Sequence, residues 1–180
     1  MTAVLLVVAA VIGSTYGFGG GPLASPSVKG SIQLNAQVFR VASTSMEPTL
    51  QIGDQVAVST GIAHLRRGDV VLVHIPRPSL PVTKVFKRVI GLPGETISSS
   101  GSSILVNGVP LSEPYLAAAQ ESGPPVASQV IPANEYFVLG DNRTNSLDSR
   151  FFGPVPSTSI IGIAQRIVAP RARSGPIAGS

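Results

Sequence analysis

The sequence contains no cysteine and only two histidines, His64 and His74. Without cysteine the chain can form neither disulfides nor thiolate metal sites, and cysteine usage does not indicate whether the protein works in an oxidising or a reducing compartment. Two histidines are too few for a histidine-rich metal site, and no carboxylates at ligand spacing accompany them. We therefore expect no metal site.

Charged and aromatic residues are also scarce, at 12% and 5% of the chain. Few charges argue against long solvated helices, and 19 glycines and 16 prolines supply frequent turns. Short runs rich in valine and isoleucine lie between these turns, which favours strands. The composition predicts a mainly β protein of about one domain plus an appendage.

The net charge of +4 and the pI of about 10.0 raise the possibility of a nucleic-acid partner. The basic residues, however, are spread along the chain, and the few aromatic residues show no stacking pattern. A solvated basic surface explains the charge best, and attraction to anionic lipid comes next. We expect no nucleic-acid partner.

Residues 2–18 carry no charge and begin with a long aliphatic run. As a helix, about 17 residues would reach about 26 Å, slightly less than the roughly 30 Å hydrocarbon core of a bilayer. Tyr16 and Phe18 stand where interfacial aromatic residues are common. We predict a transmembrane anchor over residues 1–18. The alternative is a cleavable signal sequence, but no basic residue precedes the run and no clear cleavage site follows it.

The rest of the chain divides by composition. Residues 19–30, rich in glycine and proline, predict a flexible linker, and residues 31–168 predict the β domain. Within that domain residues 96–135 form a small inserted subregion, which contains the hairpin signal Asn107-Gly108. We expect the polar tail, residues 169–180, to be disordered.

Residues 43–50, with the sequence STSMEPTL, offer three adjacent hydroxyl groups and then an X-Pro step. Pro48 restricts the preceding Glu47 to extended conformations, which predicts a held loop instead of a helix. A serine hydroxyl is a poor nucleophile until a base removes its proton. Nothing inside this segment can act as that base.

Lysine can supply a base if burial keeps its amine neutral. The three lysines of the chain are Lys29, Lys84 and Lys87. Lys29 belongs to the polar linker, and on a strand Lys84 shares its face with Arg88. Lys87 instead has Val85 and Val89 on its own face, so it is the lysine that we expect to be buried.

A second polar segment, residues 140–150, has hydrogen-bonding side chains at most positions. Asp148 and Arg150 are spaced to pair. The segment lies between a predicted strand and the apolar Phe151-Phe152, so we expect it to be partly buried and fully hydrogen-bonded, as loops that support active sites often are. A solvated loop with local turns is the alternative.

Four ordered segments, residues 43–50, 53–56, 87–95 and 140–150, resemble the bacterial type I signal peptidases, and the apolar N-terminus is similar to their membrane anchor. The resemblance implies that Ser45 is the nucleophile and Lys87 its base. It also implies that the Ser43 hydroxyl and the Ser45 N–H form the oxyanion site, and that Met46 lines the substrate cleft. Ser146 would orient Lys87. The other supporting side chains would be Asp148, Arg150, Asp141 and Arg143.

The same resemblance implies a mostly antiparallel, barrel-like β fold with an apolar surface against membrane lipid, and no cofactor. Substrates would be exported preproteins with small residues at −1 and −3 of the cleavage site. The anchor would cross the plasma membrane once, with the catalytic domain on the extracytoplasmic side. Lys29 and Arg40, which follow the anchor, weakly favour the opposite orientation.

Three other classes remain as alternatives. A self-cleaving repressor of the Ser-Lys type should carry a helix-turn-helix segment, where this chain has an apolar run. A Ser-His hydrolase could use His74, but the chain lacks a G-x-S-x-G elbow. The third class is a catalytically inactive, membrane-anchored binding module.

Overall fold

The structure, a computed structural model, describes residues 36–60, 64–75, 84–117 and 123–177. The predicted anchor over residues 1–18 and the predicted linker over residues 19–30 lie outside these ranges. Among the described residues there is no helix with the length and apolar character needed to cross a membrane.

Strands dominate the described residues, as the composition predicts. The only α-helix there, α1, is one turn long and covers Ser149–Phe152. Three 3-10 turns cover Thr44–Met46, Ser157–Ser159 and Arg171–Arg173. The strands are β1 (Ala36–Arg40), β2 (Gln55–Ser59), β3 (Val70–His74), β4 (Lys84–Gly91), β5 (Thr96–Ser100), β6 (Ser103–Val106), β7 (Val109–Pro110), β8 (Gln129–Val130), β9 (Glu135–Leu139), β10 (Val155–Pro156), β11 (Ile160–Ala169) and β12 (Gly175–Pro176).

The strands form two sheets in which every described pair is antiparallel. The larger sheet has the order β1-β2-β11-β3-β4-β9-β10, with β12 also paired to β11. The smaller sheet has the order β7-β6-β5-β8. The prediction of a mainly antiparallel β fold is confirmed. The described pairs do not join β1 to β10, so they give an open sheet and not a closed barrel.

β3 lies at the centre of the larger sheet and is buried on both faces. Val70 and Leu72 pack into one apolar cluster, whereas Val71 and Val73 pack into another on the opposite face. Because side chains alternate along a strand, a continuous run of apolar residues is needed to fill both faces. This buried strand supports its neighbour β4, which carries Lys87.

The inserted subregion forms the smaller sheet. Its β6–β7 turn has Asn107 and Gly108 at φ values of 51° and 79°, as a two-residue hairpin turn requires. Ile97 and Ile104 of this sheet share an apolar cluster with Phe137 and Leu139 of β9. The subregion is therefore packed against the strand that leads into residues 140–150.

The C-terminal tail differs from its prediction. Residues 169–177 are folded: β12 pairs with β11, and Ile177 is only 4% exposed. Arg173 also forms an ion pair with Asp54, with nitrogen and oxygen 2.9 Å apart. The expected disorder is therefore wrong for this part of the tail. The burial of Ile177 and the ion pair between Arg173 and Asp54 hold it against the domain in spite of its polar composition.

Candidate active site

A single 3-10 turn, Thr44–Met46, presents Ser45. Ser43 caps the turn in an extended conformation, and its Oγ accepts a hydrogen bond from the Ser45 N–H at 3.2 Å. Glu47 ends the turn at φ −65° and ψ 141°, in the extended region that Pro48 was expected to impose. The sequence predicted a held loop over residues 43–50, and within it residues 44–46 form one capped 3-10 turn.

Lys87 reaches this turn from the middle of β4. Its Nζ lies 2.7 Å from Ser45 Oγ, at hydrogen-bonding distance, and its side chain is 1% exposed. Val85 and Val89 belong to the same apolar cluster, so the predicted strand face is confirmed. Lys84 is exposed. The buried lysine is thus the predicted one, but the opposite face of β4 is not solvated, because Phe86 is 6% exposed and Arg88 0%.

Burial lowers the pKa of Lys87 from its ordinary value of 10.5 to about 8. The charges around it act in both directions: Asp148 and Asp141 raise this pKa, whereas Arg150 lowers it. Desolvation is the largest of these effects, because the ammonium loses its hydration and gains only partial compensation. A substantial fraction of the amine is neutral at mildly alkaline pH and can accept a proton.

Residues 140–150 lie next to Lys87 and Ser45. Within this loop the Asp148 carboxylate binds both a side chain and the backbone. It pairs with Arg150 at 2.8 Å and accepts the Gly140 N–H at 3.0 Å. Burial alone would raise the pKa of Asp148, but the hydrogen bonds from Arg150 and Gly140 together with the Arg150 charge hold it below its usual value. Asp148 is therefore buried and ionised, and the loop is partly buried, as predicted: Thr144, Asn145 and Leu147 are exposed.

Asp141 and Arg143 are both buried, but each pairs with a residue outside this loop. Asp141 accepts two hydrogen bonds from Arg88, at 2.9 and 2.7 Å, and neither side chain is exposed. It also accepts the Thr49 hydroxyl at 2.6 Å. Arg143 pairs with Glu113. Each of these buried side chains thus has an oppositely charged partner at contact distance, as a buried charge requires.

Sequence reasoning missed Arg88, Glu113 and Tyr115. Arg88 follows Lys87 on the opposite strand face, and nothing local distinguishes it from a solvated arginine. Its guanidinium carbon lies 3.8 Å from the centre of the Tyr115 ring. Glu113 and Tyr115 belong to the inserted subregion, where the composition gave no sign of a buried ion pair. Their partners are distant in sequence, so no short motif could reveal them.

The contacts of Ser146 and Met46 differ from those expected from the sequence. Ser146 Oγ is buried and has no hydrogen-bond partner at ordinary geometry among the described residues, so the expected bond to Lys87 is not formed. The hydroxyl does help to lower the pKa of Asp148, which places it beside that carboxylate. Met46 is 1% exposed and packs in the core below Ser45. It borders a small cavity of about 70 Å³, not the open groove beside Lys87.

That groove, with a volume of about 450 Å³, reaches both Ser45 and Lys87. Its walls combine the hydroxyl groups of residues 43–45 with apolar side chains. The lining residues are Ala42, Ser43, Thr44, Ser45, Ile52, Ile75, Val85, Lys87, Asn145 and Leu147. A partly apolar ligand in this groove can therefore contact the Ser45 hydroxyl.

A protein-family model described as "Signal peptidase, peptidase S26" matches residues 27–169. The chain belongs to this family. Signal peptidase I of Leptolyngbya laminosa is 40% identical over 139 residues, which cover 72% of this chain and 66% of that protein. Signal peptidase I V of Bacillus subtilis is 37% identical over 155 residues, which cover 76% of this chain and 90% of that protein.

A further relative, probable signal peptidase I-2 of Synechocystis, is 40% identical over 138 residues. The chain spans 66% and 61% of the lengths of the relatives from Leptolyngbya and Synechocystis. A crystal structure of a signal peptidase I from Enterococcus faecalis V583 is 36% identical, with a TM-score of 0.48, and covers 57% of this chain and 98% of that one.

Proposed function

We propose that the chain is a membrane-anchored serine endopeptidase that removes signal peptides from exported preproteins. Ser45 is the nucleophile and Lys87 its general base. The observation that carries the proposal is the 2.7 Å contact between Lys87 Nζ and Ser45 Oγ, with the amine buried. Family membership and the groove that opens onto both groups support the same assignment.

In the first half of the reaction, the neutral Lys87 amine accepts the Ser45 proton while Oγ attacks the scissile carbonyl. The Ser45 N–H and the Ser43 hydroxyl stabilise the negative charge on the carbonyl oxygen. In the free protein the Ser45 N–H is bonded to Ser43 Oγ, so the substrate oxygen has to compete for that N–H. The Lys87 ammonium then protonates the leaving amine, and an acyl-enzyme remains.

In the second half, Lys87 accepts a proton from water, and the resulting hydroxide attacks the acyl carbon. Collapse of the second tetrahedral intermediate breaks the bond to Ser45 Oγ, which recovers its proton from Lys87. The same amine therefore acts as base and then as acid in each half, in the way that histidine does in the Ser-His-Asp enzymes. Neither half calls for a cofactor.

The substrate chain binds as an added strand. β9 pairs with β4 only from Arg88 onward, so among the described residues the edge of β4 at residues 84–87 has no strand on that side. A peptide along this edge passes Lys87 and exposes alternate side chains to the groove wall. Small residues at −1 and −3 fit beside Val85 and Ile75, whereas the −2 side chain points away.

The protein acts at the plasma membrane. Residues 1–18 are its anchor, and the catalytic domain lies on the extracytoplasmic side, where exported preproteins emerge. Contact with membrane lipid keeps the groove near the anchored end of the substrate. Protease added to cells without their outer barriers should then digest the domain, whereas protection until lysis would reverse the orientation.

The decisive experiment incubates detergent-solubilised protein with a preprotein and sequences the new N-terminus. We expect one cut after a small residue, and none with Ser45→Ala protein of unchanged melting temperature. Cleavage by Ser45→Ala would remove the nucleophile assignment. If folded parent protein binds preproteins but leaves them intact, the chain is a binding module. His74 is exposed at the end of β3, which weakens the Ser-His alternative.

A further inference from the structure

The inserted subregion contacts the active-site loop through one buried acidic side chain. Glu113 follows β7 and is 8% exposed in its side chain. Both of its carboxylate oxygens accept hydrogen bonds from the Arg143 guanidinium, one at 3.0 Å and one shorter. The bond and the charge of Glu113 raise the pKa of Arg143 against the effect of burial. A bidentate pair of this kind fixes the orientation of both side chains.

Tyr115, two residues further on, adds a second contact. Its hydroxyl donates to Glu113 at 2.6 Å, and its ring lies under the guanidinium of Arg88, 3.8 Å from centre to carbon. Arg88 in turn holds Asp141. Glu113 and Tyr115 are here called the clamp. Glu113 binds residues 140–150 directly at Arg143, and Tyr115 acts on the same loop at Asp141 through Arg88.

This loop, residues 140–150, contacts the backbone of the nucleophile Ser45. Arg143 Nε donates to the Gly140 carbonyl at 3.0 Å, and Arg150 Nη1 donates to the Arg143 carbonyl at 2.8 Å. The N–H of Asn142 donates to the Ser45 carbonyl at 3.0 Å. A displacement of Arg143 is thus passed directly to Gly140 and Arg150, and through the loop backbone to Ser45.

We infer that the clamp is a positioning device of the proposed protease: Glu113 and Tyr115 hold residues 140–150 against Ser45 and Lys87 and keep that pair dry and aligned. The inference rests on the proposed function. It gives the inserted subregion a role in the chemistry, although neither clamp residue contacts the groove.

The direction of the expected effect follows from what surrounds Lys87. The charged groups that act on it are Asp148, Asp141 and Arg150, all within residues 140–150, and its partner on β3 is the uncharged Val71. Loosening the loop admits water, and burial is the largest cause of the low Lys87 pKa. The pKa should then rise toward 10.5, even though weaker contact with the two carboxylates opposes this rise.

The test compares Glu113→Gln, which keeps the shape of the side chain, with Tyr115→Phe, which keeps the ring beneath Arg88. Glu95→Gln is the control, since it alters another Arg–Glu pair, the more exposed Arg67–Glu95, outside this network. Rates are measured against pH on a preprotein. The Lys87 amine is titrated separately by carbon NMR on lysine-labelled protein, with Lys87→Met for assignment, because the chain has only three lysines.

We expect Glu113→Gln to lower kcat by about tenfold or more with KM within about twofold. The Lys87 midpoint should move to higher pH by about 0.5 or more, with a smaller move of the same sign in Tyr115→Phe. The Glu113→Gln/Arg143→Gln double variant should be no slower than Arg143→Gln alone, since both act through one contact. Glu95→Gln should match the parent.

An unchanged Lys87 midpoint in both clamp variants would overturn the inference, because a loss of folded protein lowers the rate without moving the titration. Additive effects in the double variant would overturn it too. If Glu113→Gln does not fold, Tyr115→Phe decides. If the parent cleaves no preprotein, the proposed function fails, but the Lys87 titration still tests the clamp.

Discussion

Gly140 lies against the backbone of Ser45 with no room for a side chain. A β-carbon at Gly140 would lie 2.4 Å from the Ser45 carbonyl oxygen and 2.3 Å from Ser146 Oγ. Such distances are far inside van der Waals contact, and the Ser45 oxygen is backbone that cannot swing aside. The loop over residues 140–150 can therefore approach the nucleophile only because this position is glycine.

The first prediction follows from that contact. Gly140→Ala should push the loop away from Ser45, lower kcat by about 10²-fold and destabilise the fold by about 1–3 kcal/mol. The control is Gly175→Ala, because a β-carbon there meets nothing within 4 Å. Peptide cleavage and urea melts of both variants give the comparison. Full activity in Gly140→Ala would mean that the loop and the nucleophile are not rigidly coupled.

The second prediction concerns Ser43, which caps the Ser45 turn. Ser43→Ala removes both the cap and the proposed oxyanion donor, so kcat should fall by about 10²–10³-fold. Ser43→Thr keeps a hydroxyl that can also cap the turn and should retain much of the rate. Equal losses in both variants, measured by single-turnover cleavage, would point to steric fit instead of the hydroxyl.

Patterns of short period were readable in the sequence. Alternation along β4 placed Lys87 between Val85 and Val89, as the structure has it. Lys84 is exposed because it begins the strand, since Phe86 and Arg88 on its own face are buried. The ion pair of Asp148 and Arg150 could also be predicted, because the two residues are only two positions apart in the sequence.

Long-range partners were not readable. Arg88 and Asp141 are 53 residues apart, and Glu113 and Arg143 are 30 apart. The local sequence does not distinguish a buried arginine from a solvated one. Only the folded structure shows which carboxylate each arginine contacts. The sequence likewise could not show that Ile177 fills part of the core.

The third prediction tests that packing. Ile177 is 4% exposed within the cluster that also contains Met46 and Leu50. Ile177→Ala should reduce the free energy of unfolding by about 2–5 kcal/mol. Val109→Ala, at a site that is 67% exposed, should change it by no more than about 0.5 kcal/mol. Urea denaturation of both variants measures this, and an unchanged Ile177→Ala midpoint would mean that the tail is not packed in solution.

The last prediction concerns the base. Between the folded pKa of about 8 and the ordinary value of 10.5, the unfolded chain holds a proton that folded Lys87 has released. The stability of the folded protein therefore falls as the pH drops from 10.5 to about 8 and is not lowered further by this group at more acid pH. At neutral pH the penalty is about 3 kcal/mol.

Lys87→Met removes this penalty together with the base. The inactive variant should therefore be at least as stable as the parent at pH 7, and the two should converge as the pH rises above about 10. In the parent, kcat/KM should rise with pH through about 8 and then level off, because only the neutral amine accepts the Ser45 proton. Lys84→Met, at an exposed site, should keep both the rate and its pH midpoint. Thermal melts and rates across pH for the three proteins decide the matter: an active Lys87→Met enzyme would place the base elsewhere, and a parent whose rate does not vary between pH 7 and 9 would show that the amine is not the titrating group.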